Sequence, residues 1–188
     1  MFKKYLTITS LFAISFYSLY SQADNIFSNF FGKELDVASV KNSLYLEECG
    51  ACHFPYQPGL LPARSWQKMM SNSSLQDHFG EDIVFDEQQI RKQLLNYMIT
   101  NAADNAPFKR SRKIMKSLSY DDVPLSILKT PYMRRKHSDI PKKLIAQPKV
   151  GTFSNCEACH KQASKGNYDD DQIHIPNANF YWQLQHDD

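Results

Sequence analysis

Apolar positions recur at helical spacing in three stretches of the chain. Val37, Val40 and Leu44 form a stripe that predicts a helix over 37–53. Trp66, Met69 and Met70 stand at i, i+3 and i+4 and predict a short amphipathic helix. Pro62 suits its start, and the serine-rich run 71–74 breaks it. Ile90, Leu94, Tyr97 and Met98 predict a longer helix to about residue 103, opened by a capping box of Asp86 and Gln89. Between the first two lies 54–62, too rich in proline for a helix interior. From 105 to 149 the pattern breaks up. Pro107, Pro124, Pro131, Pro141 and Pro148 punctuate it, leaving short helical pieces at 114–118 and 125–132. Glycine is absent from 109–149, which argues against a loose linker. Further on, Asn155 suits a helix N-cap and Gly166 a helix end.

The N-terminus reads as a targeting segment. Lys3 and Lys4 precede a mostly apolar run over 6–20, and Ser21-Gln22-Ala23 has the small-x-small form of a cleavage site. The run is short for a span and is interrupted by serines. Cleavage after Ala23 places the mature chain in a bacterial periplasm, with no stable membrane insertion. Loss of Lys3 and Lys4 takes the net charge from +2 to zero. That zero conceals segregation. Residues 24–108 hold 6 basic and 11 acidic side chains, 109–149 hold 12 and 3, and 150–188 hold 2 and 6. The compartment and the net charge argue against a nucleic-acid partner.

All four cysteines fall in two copies of one motif. Cys49-Gly50-Ala51-Cys52-His53 and Cys156-Glu157-Ala158-Cys159-His160 are both Cys-x-x-Cys-His, the pattern of covalent c-type haem attachment. On a helix, the two cysteines and the histidine fall at i, i+3 and i+4 and share a face. Two thiols can then form thioethers to one porphyrin, with the histidine beneath its iron. The pattern predicts two haem c groups, with iron held by His53 and His160. A four-cysteine zinc knuckle usually spaces its pairs by about 15–20 residues, whereas 103 residues separate Cys52 from Cys156. A redox dithiol would sit in a βαβ pattern, which neither motif shows. Neither rival explains a histidine in the next position both times.

Each iron needs a sixth ligand. The element order around the first motif resembles the all-α class I cytochrome c fold, where that ligand comes from the loop before the terminal helix. The loop at 76–82 offers His78, with Met69 and Met70 as runners-up that are expected in the core against the haem. For the second iron the remaining histidines are His137, His174 and His186. His137 lies among cations, His174 alternates with Ile173 and Ile175, and His186 is two residues from the end.

Longer stretches carry a closer resemblance. They are Glu48–His53, Pro58–Trp66, His78–Asp82, Asn101–Asp104, Thr130–Tyr132, His137–Pro141 and Ser154–His160. Together they resemble the periplasmic dihaem cytochrome c (DHC) family over nearly all of the mature chain. The resemblance implies a mainly α fold. A class I cytochrome c-like N-terminal haem domain over 24–106 would be followed by an irregular, loop-rich α-helical second haem domain over 107–188, after a 1–23 signal peptide. It implies bis-histidine pairs, His53 with His78 and His160 with His137, and leaves His174 without a family role. Its members resemble one another in passing electrons among periplasmic or membrane-bound cytochromes, in some cases to a small oxygen-binding haem protein.

The expected function is therefore a periplasmic electron-transfer shuttle rather than an enzyme, with low-potential haems, since methionine ligation raises the potential. The alternatives are a small dihaem enzyme or gas-binding haem protein with one open iron site, and an electron-feeding subunit of a larger reductase. The basic 109–149 segment could pair with haem propionates and steer an acidic partner.

Overall fold

Asn42 sets where the first helix begins. Its Oδ1 accepts a hydrogen bond from the Tyr45 amide at 2.9 Å, and helix α1 runs Ser43–Gly50. The helix predicted over 37–53 is thus shorter at both ends. Val37 is not part of it; this residue is buried in a bend ahead of the helix, and its amide donates to Gly166 O at 3.2 Å. At the other end the helix stops at Gly50, before Cys52 and His53 and five residues ahead of Pro55. This computed structural model describes residues 35–178. The predicted signal peptide lies outside the described residues, as do Phe180, Tyr181, Trp182 and His186.

A 3₁₀ turn at Pro58–Leu60 follows, then α2 at Ala63–Met69 with Pro62 at its N-cap, then α3 at Asn72–Leu75. The serines expected to break the chain do so by starting a new turn, because Ser71 Oγ accepts from Ser74 N. Helix α4 spans Gln88–Thr100. Its N-cap is Glu87, without a side-chain cap bond, so the Asp86–Gln89 capping box is not what opens it. Leu94 and Met98 are its buried residues, one turn apart, with Ile90 and Tyr97 beside them. They pack with Tyr45, Leu61, Trp66 and Met70 into a first core. Full burial of one such side chain is worth about 1.5–3 kcal/mol.

The proline-broken middle is more helical than its pattern implied. Helix α5 occupies Lys109–Ser117, starting well before the predicted 114–118 piece. Its buried side chains are Arg110, Ser111 and Ile114. Putting an arginine on the inward face hides the helical stripe from hydrophobicity alone. A 3₁₀ turn at Ile127–Lys129 leads to α6 at Pro131–Lys136, with Thr130 capping and Pro131 in its first turn. Helix α7 (Lys142–Ile145) and α8 (Cys156–Cys159) are single turns, and 3₁₀ turns follow at Ala163–Lys165 and Asp170–Gln172. Gly166 closes the first of these turns at φ +76°.

The fold is mainly helical. Among the described residues there are no strands, only isolated bridges pairing His78 with Glu81 and His160 with Ile173. A second core joins Val37 and Leu60 to Ile114, Tyr132, Met133, Ala163 and Tyr168. Sequence-distant segments therefore meet around the second motif. A smaller cluster of Ile145, Val150 and Ala158 flanks it. No helix among the described residues is long and apolar enough to cross a membrane.

Candidate haem centres

Helix α1 carries Cys49 in its last turn, and the following bend carries Cys52 and His53. His53 Nδ1 lies 2.7 Å from Phe54 O. A carbonyl only accepts, so Nδ1 bears the proton and Nε2 keeps its lone pair for a metal. His78 comes from the loop ahead of α4. Phe79 at φ +56° and Gly80 at φ +101° form a tight turn, closed by His78 N to Glu81 O at 2.7 Å. Asp77 Oδ1 braces it by accepting from Gly80 N at 3.0 Å. A non-glycine residue at positive φ costs roughly 1–2 kcal/mol, and such strain gathers at functional sites. The turn brings His78 opposite His53, with ring centroids 6.3 Å apart and planes 18° apart.

The second centre repeats the arrangement with different parts. His137 caps the C-terminus of α6, and both its backbone amide (3.1 Å) and its Nδ1 (2.8 Å) meet Met133 O. That fixes the ring and again leaves Nε2 free. His160 caps α8, its amide bonded to Cys156 O at 2.8 Å. The two centroids are 6.2 Å apart and the planes 71° apart. Phe153 packs edge-on against His137 and Tyr168 against His160, both rings that the sequence did not single out.

These separations have a simple physical meaning. A metal–imidazole bond of about 2.0 Å, with roughly 1.1 Å from nitrogen to ring centre, puts two trans imidazole centroids about 6.2 Å apart. Each pair therefore leaves room for one metal ion between its rings. Around the second pair lies a cavity of about 330 Å³. Its lining includes Cys156, Cys159, Ile145, Val150 and Phe153. His160 Nδ1 is buried there without a hydrogen-bond partner. A cavity with apolar walls, charged groups at its edge, two imidazoles and two thiols fits a porphyrin.

The electrostatics favour neutral ligands. Burial lowers the His78 pKa, with His53 adding to the effect. Burial likewise lowers His137, against an opposing hydrogen bond to Met133 O and with Arg110 and Lys136 adding to the fall. His160 drops to about 4, chiefly through burial and then through His137 and Arg110. Burial raises the thiols of Cys49 and Cys156 to about 11. No disulfide joins the four cysteines. Among the described residues no three His, Cys, Asp or Glu side chains cluster as a metal site.

The other candidates stand apart. Met70 and Trp66 are in the first core, with Trp66 Nε1 donating to Pro58 O at 2.8 Å, and Met69 is half-buried beside them. His174 is exposed, tied by its amide to Cys159 O at 2.9 Å. One residue the sequence gave no signal for is Tyr56. Its ring lies 5.1 Å from that of His53, while its hydroxyl donates to Ser154 O at 2.6 Å. It thereby ties the first motif to the segment leading into the second.

A family model described as Dihaem cytochrome c matches residues 45–168. The diheme cytochrome c from Rhodobacter sphaeroides is 36% identical at a TM-score of 0.61, over 70% of this chain and 100% of that one. The diheme cytochrome type c from Shewanella baltica OS155 is 33% identical at a TM-score of 0.58, over 72% of this chain and 94% of that one. A structure of DHC purified from Rhodobacter sphaeroides is 35% identical at a TM-score of 0.55, over 69% and 99%. No curated protein matches the chain. The chain belongs to the dihaem cytochrome c family, and with that family it carries two covalently bound haem c groups.

Proposed function

We propose that this protein is an exported, periplasmic electron carrier whose two haem irons are each held between two histidines. The observation that carries the reading is the pair of imidazole separations, 6.3 Å for His53–His78 and 6.2 Å for His137–His160. In this reading Cys49 and Cys52 tether the first haem, and Cys156 and Cys159 the second. Bound there, each haem supplies an iron that takes up and gives back one electron.

The protein's own part is to hold the iron alike in both oxidation states. Nδ1–H bonds from His53 and His137 to backbone carbonyls keep those rings from turning. With imidazole on both faces, no position stays open for substrate, peroxide or gas. That separates the reading from a dihaem enzyme or a gas sensor, both of which need a vacancy. Bis-histidine ligation also suits low-potential carriers. Tyr56 favours internal exchange, because it touches His53 and is bonded to the segment before Cys156.

Docking would use charge. Eleven of the twelve basic side chains in 109–149 are exposed, which suits attraction of an acidic redox protein at low salt. Such a protein could be a periplasmic or membrane-bound cytochrome, or a small oxygen-binding haem protein. The targeting segment at 1–23 supports export.

The test is visible and magnetic spectroscopy of the purified holoprotein in both redox states. Two low-spin haems per chain, unaffected by carbon monoxide, are the expected result. A high-spin fraction that binds carbon monoxide would replace the carrier by an open-site protein. Co-purification in stoichiometric amount with a large reductase would make it a subunit rather than a free shuttle.

A further inference from the structure

Arg110 departs from the other cations of its segment. Lys109, Arg112, Lys113 and Lys116 on the same helix are exposed, whereas Arg110 is only 9% exposed. Burying a guanidinium is costly unless every N–H finds an acceptor. Most do. Nη2 lies 3.1 Å from Asp36 Oδ1 and donates to Tyr168 O at 2.9 Å, while Nη1 donates to Tyr132 Oη at 3.1 Å. The faces of Tyr132 and Tyr168 flank the guanidinium at 5.9 and 5.6 Å. The second Nη1 hydrogen has no acceptor among these contacts, and Nε is buried without a partner.

An orphaned buried N–H is costly, more so on a charged group. A protein seeking only an Asp36 ion pair has no need to leave it so. Arg110 also lines the cavity that holds His137, His160, Cys156 and Cys159. Arg110 is therefore part of the wall of the site where a porphyrin, with its two carboxylates, would be held. Other charged groups on that wall are Arg135, Lys136, Asp139 and Asp170. Lys136 is already paired with Asp170 at 3.1 Å, and both are partly exposed.

Resting on the haem reading above, we propose that Arg110 is the positioning residue for one propionate of the second haem, with Nε–H as the carboxylate donor. Asp36 holds the guanidinium at the right angle, since its other oxygen accepts from Tyr168 N at 2.9 Å and its carbonyl accepts from Arg110 N at 3.0 Å. The propionate thereby gains a charged donor inside the protein, and the guanidinium, shared with Asp36, adds positive charge beside the second haem. A nearby cation favours the reduced, less positive state of the iron, so Arg110 raises the second potential relative to an otherwise equal site.

The direct test uses the wild-type ferrous holoprotein, diamagnetic when low-spin, with ¹⁵N-labelled arginine. Nuclear Overhauser contact between Arg110 Nε–H and the propionate methylenes of the second haem is expected. An Nε–H that contacts only water overturns the assignment. A redox titration of Arg110→Gln and Arg110→Lys gives the second readout. The second midpoint should fall in Arg110→Gln and largely return in Arg110→Lys, with the first unmoved. A variant with both midpoints unchanged also overturns it. A haem assay on the same samples keeps the two readings apart. Fewer than two haems per chain would sink the haem reading itself, whereas two haems without the contact would remove only the role of Arg110.

Discussion

The imidazole planes of His137 and His160 stand 71° apart across a centroid separation of 6.2 Å, while those of His53 and His78, at 6.3 Å, are 18° apart. An axial imidazole acts on the iron π orbital perpendicular to its own plane. Two near-parallel rings act on the same orbital and split the π pair. Two near-perpendicular rings act on both and leave the pair almost degenerate. The ferric protein should therefore show two distinct low-spin electron paramagnetic resonance signals: an ordinary rhombic one from the first centre and a strongly anisotropic one from the second. Two identical rhombic signals would contradict the ring orientations.

Acid should act first through His160. Its folded pKa of about 4 lies below the ordinary 6.5, so the folded state disfavours the proton. The unfolded chain then binds more protons as pH falls through about 6.5. The contribution of the neutral ring is complete above that pH and is lost progressively toward pH 4. His78 and His137 shift in the same direction. Denaturant midpoints measured from pH 7 to 4 should fall steadily, and a flat profile would contradict the burial of these rings.

Much of this was legible in the sequence, for a physical reason. Covalent attachment ties two thiols and one imidazole to fixed offsets along the backbone, so Cys49–His53 and Cys156–His160 announce themselves without tertiary information. The stripe of Leu94 and Met98 is similarly local. His78 was legible through its place before α4. His137 was ranked ahead of His174 and His186 but not fixed until family resemblance favoured it, because its pairing with His160 spans loops whose path no periodicity encodes. Arg110 and Asp36 were wholly illegible. They look like any charged residues in a polar run, and only the meeting of the 36, 110 and 168 segments makes them buried partners.

Replacing one distal ligand should open one iron. In His137→Ala the second centre loses the ring that faces His160. Its haem should become high-spin and bind carbon monoxide, while the first stays low-spin. Exposed His174 offers a control, since His174→Ala should leave both spectra unchanged. If His174→Ala produced the high-spin species instead, the pairing of His137 with His160 would be wrong.

His78→Met tests the first centre by potential rather than by spin. Methionine can still ligate, so the haem should remain low-spin, but thioether ligation raises the midpoint. The first midpoint should rise in a redox titration and the second should hold. An unmoved first midpoint would remove His78 from the iron.

Gly166 joins the two ends of the described chain where Val37 N bonds to its carbonyl at 3.2 Å. It sits at φ +76°, and a Cβ there would collide with the carbonyl oxygen of Val37. Gly166→Ala thus meets two penalties, a left-handed backbone and an overpacked contact with rigid main chain rather than a side chain that could swing aside. Together they should destabilise the folded protein by about 2–4 kcal/mol. Because Val37 and Tyr168 share a core beside the second centre, the loss should come with easier displacement of His160 in denaturant. Gly80→Ala is the internal comparison. Its φ is also positive, at +101°, yet nothing crowds the position, so only the backbone penalty of about 1–2 kcal/mol applies. Equal losses in the two variants, measured by denaturant unfolding followed in the haem absorbance, would show that the Val37 contact contributes nothing.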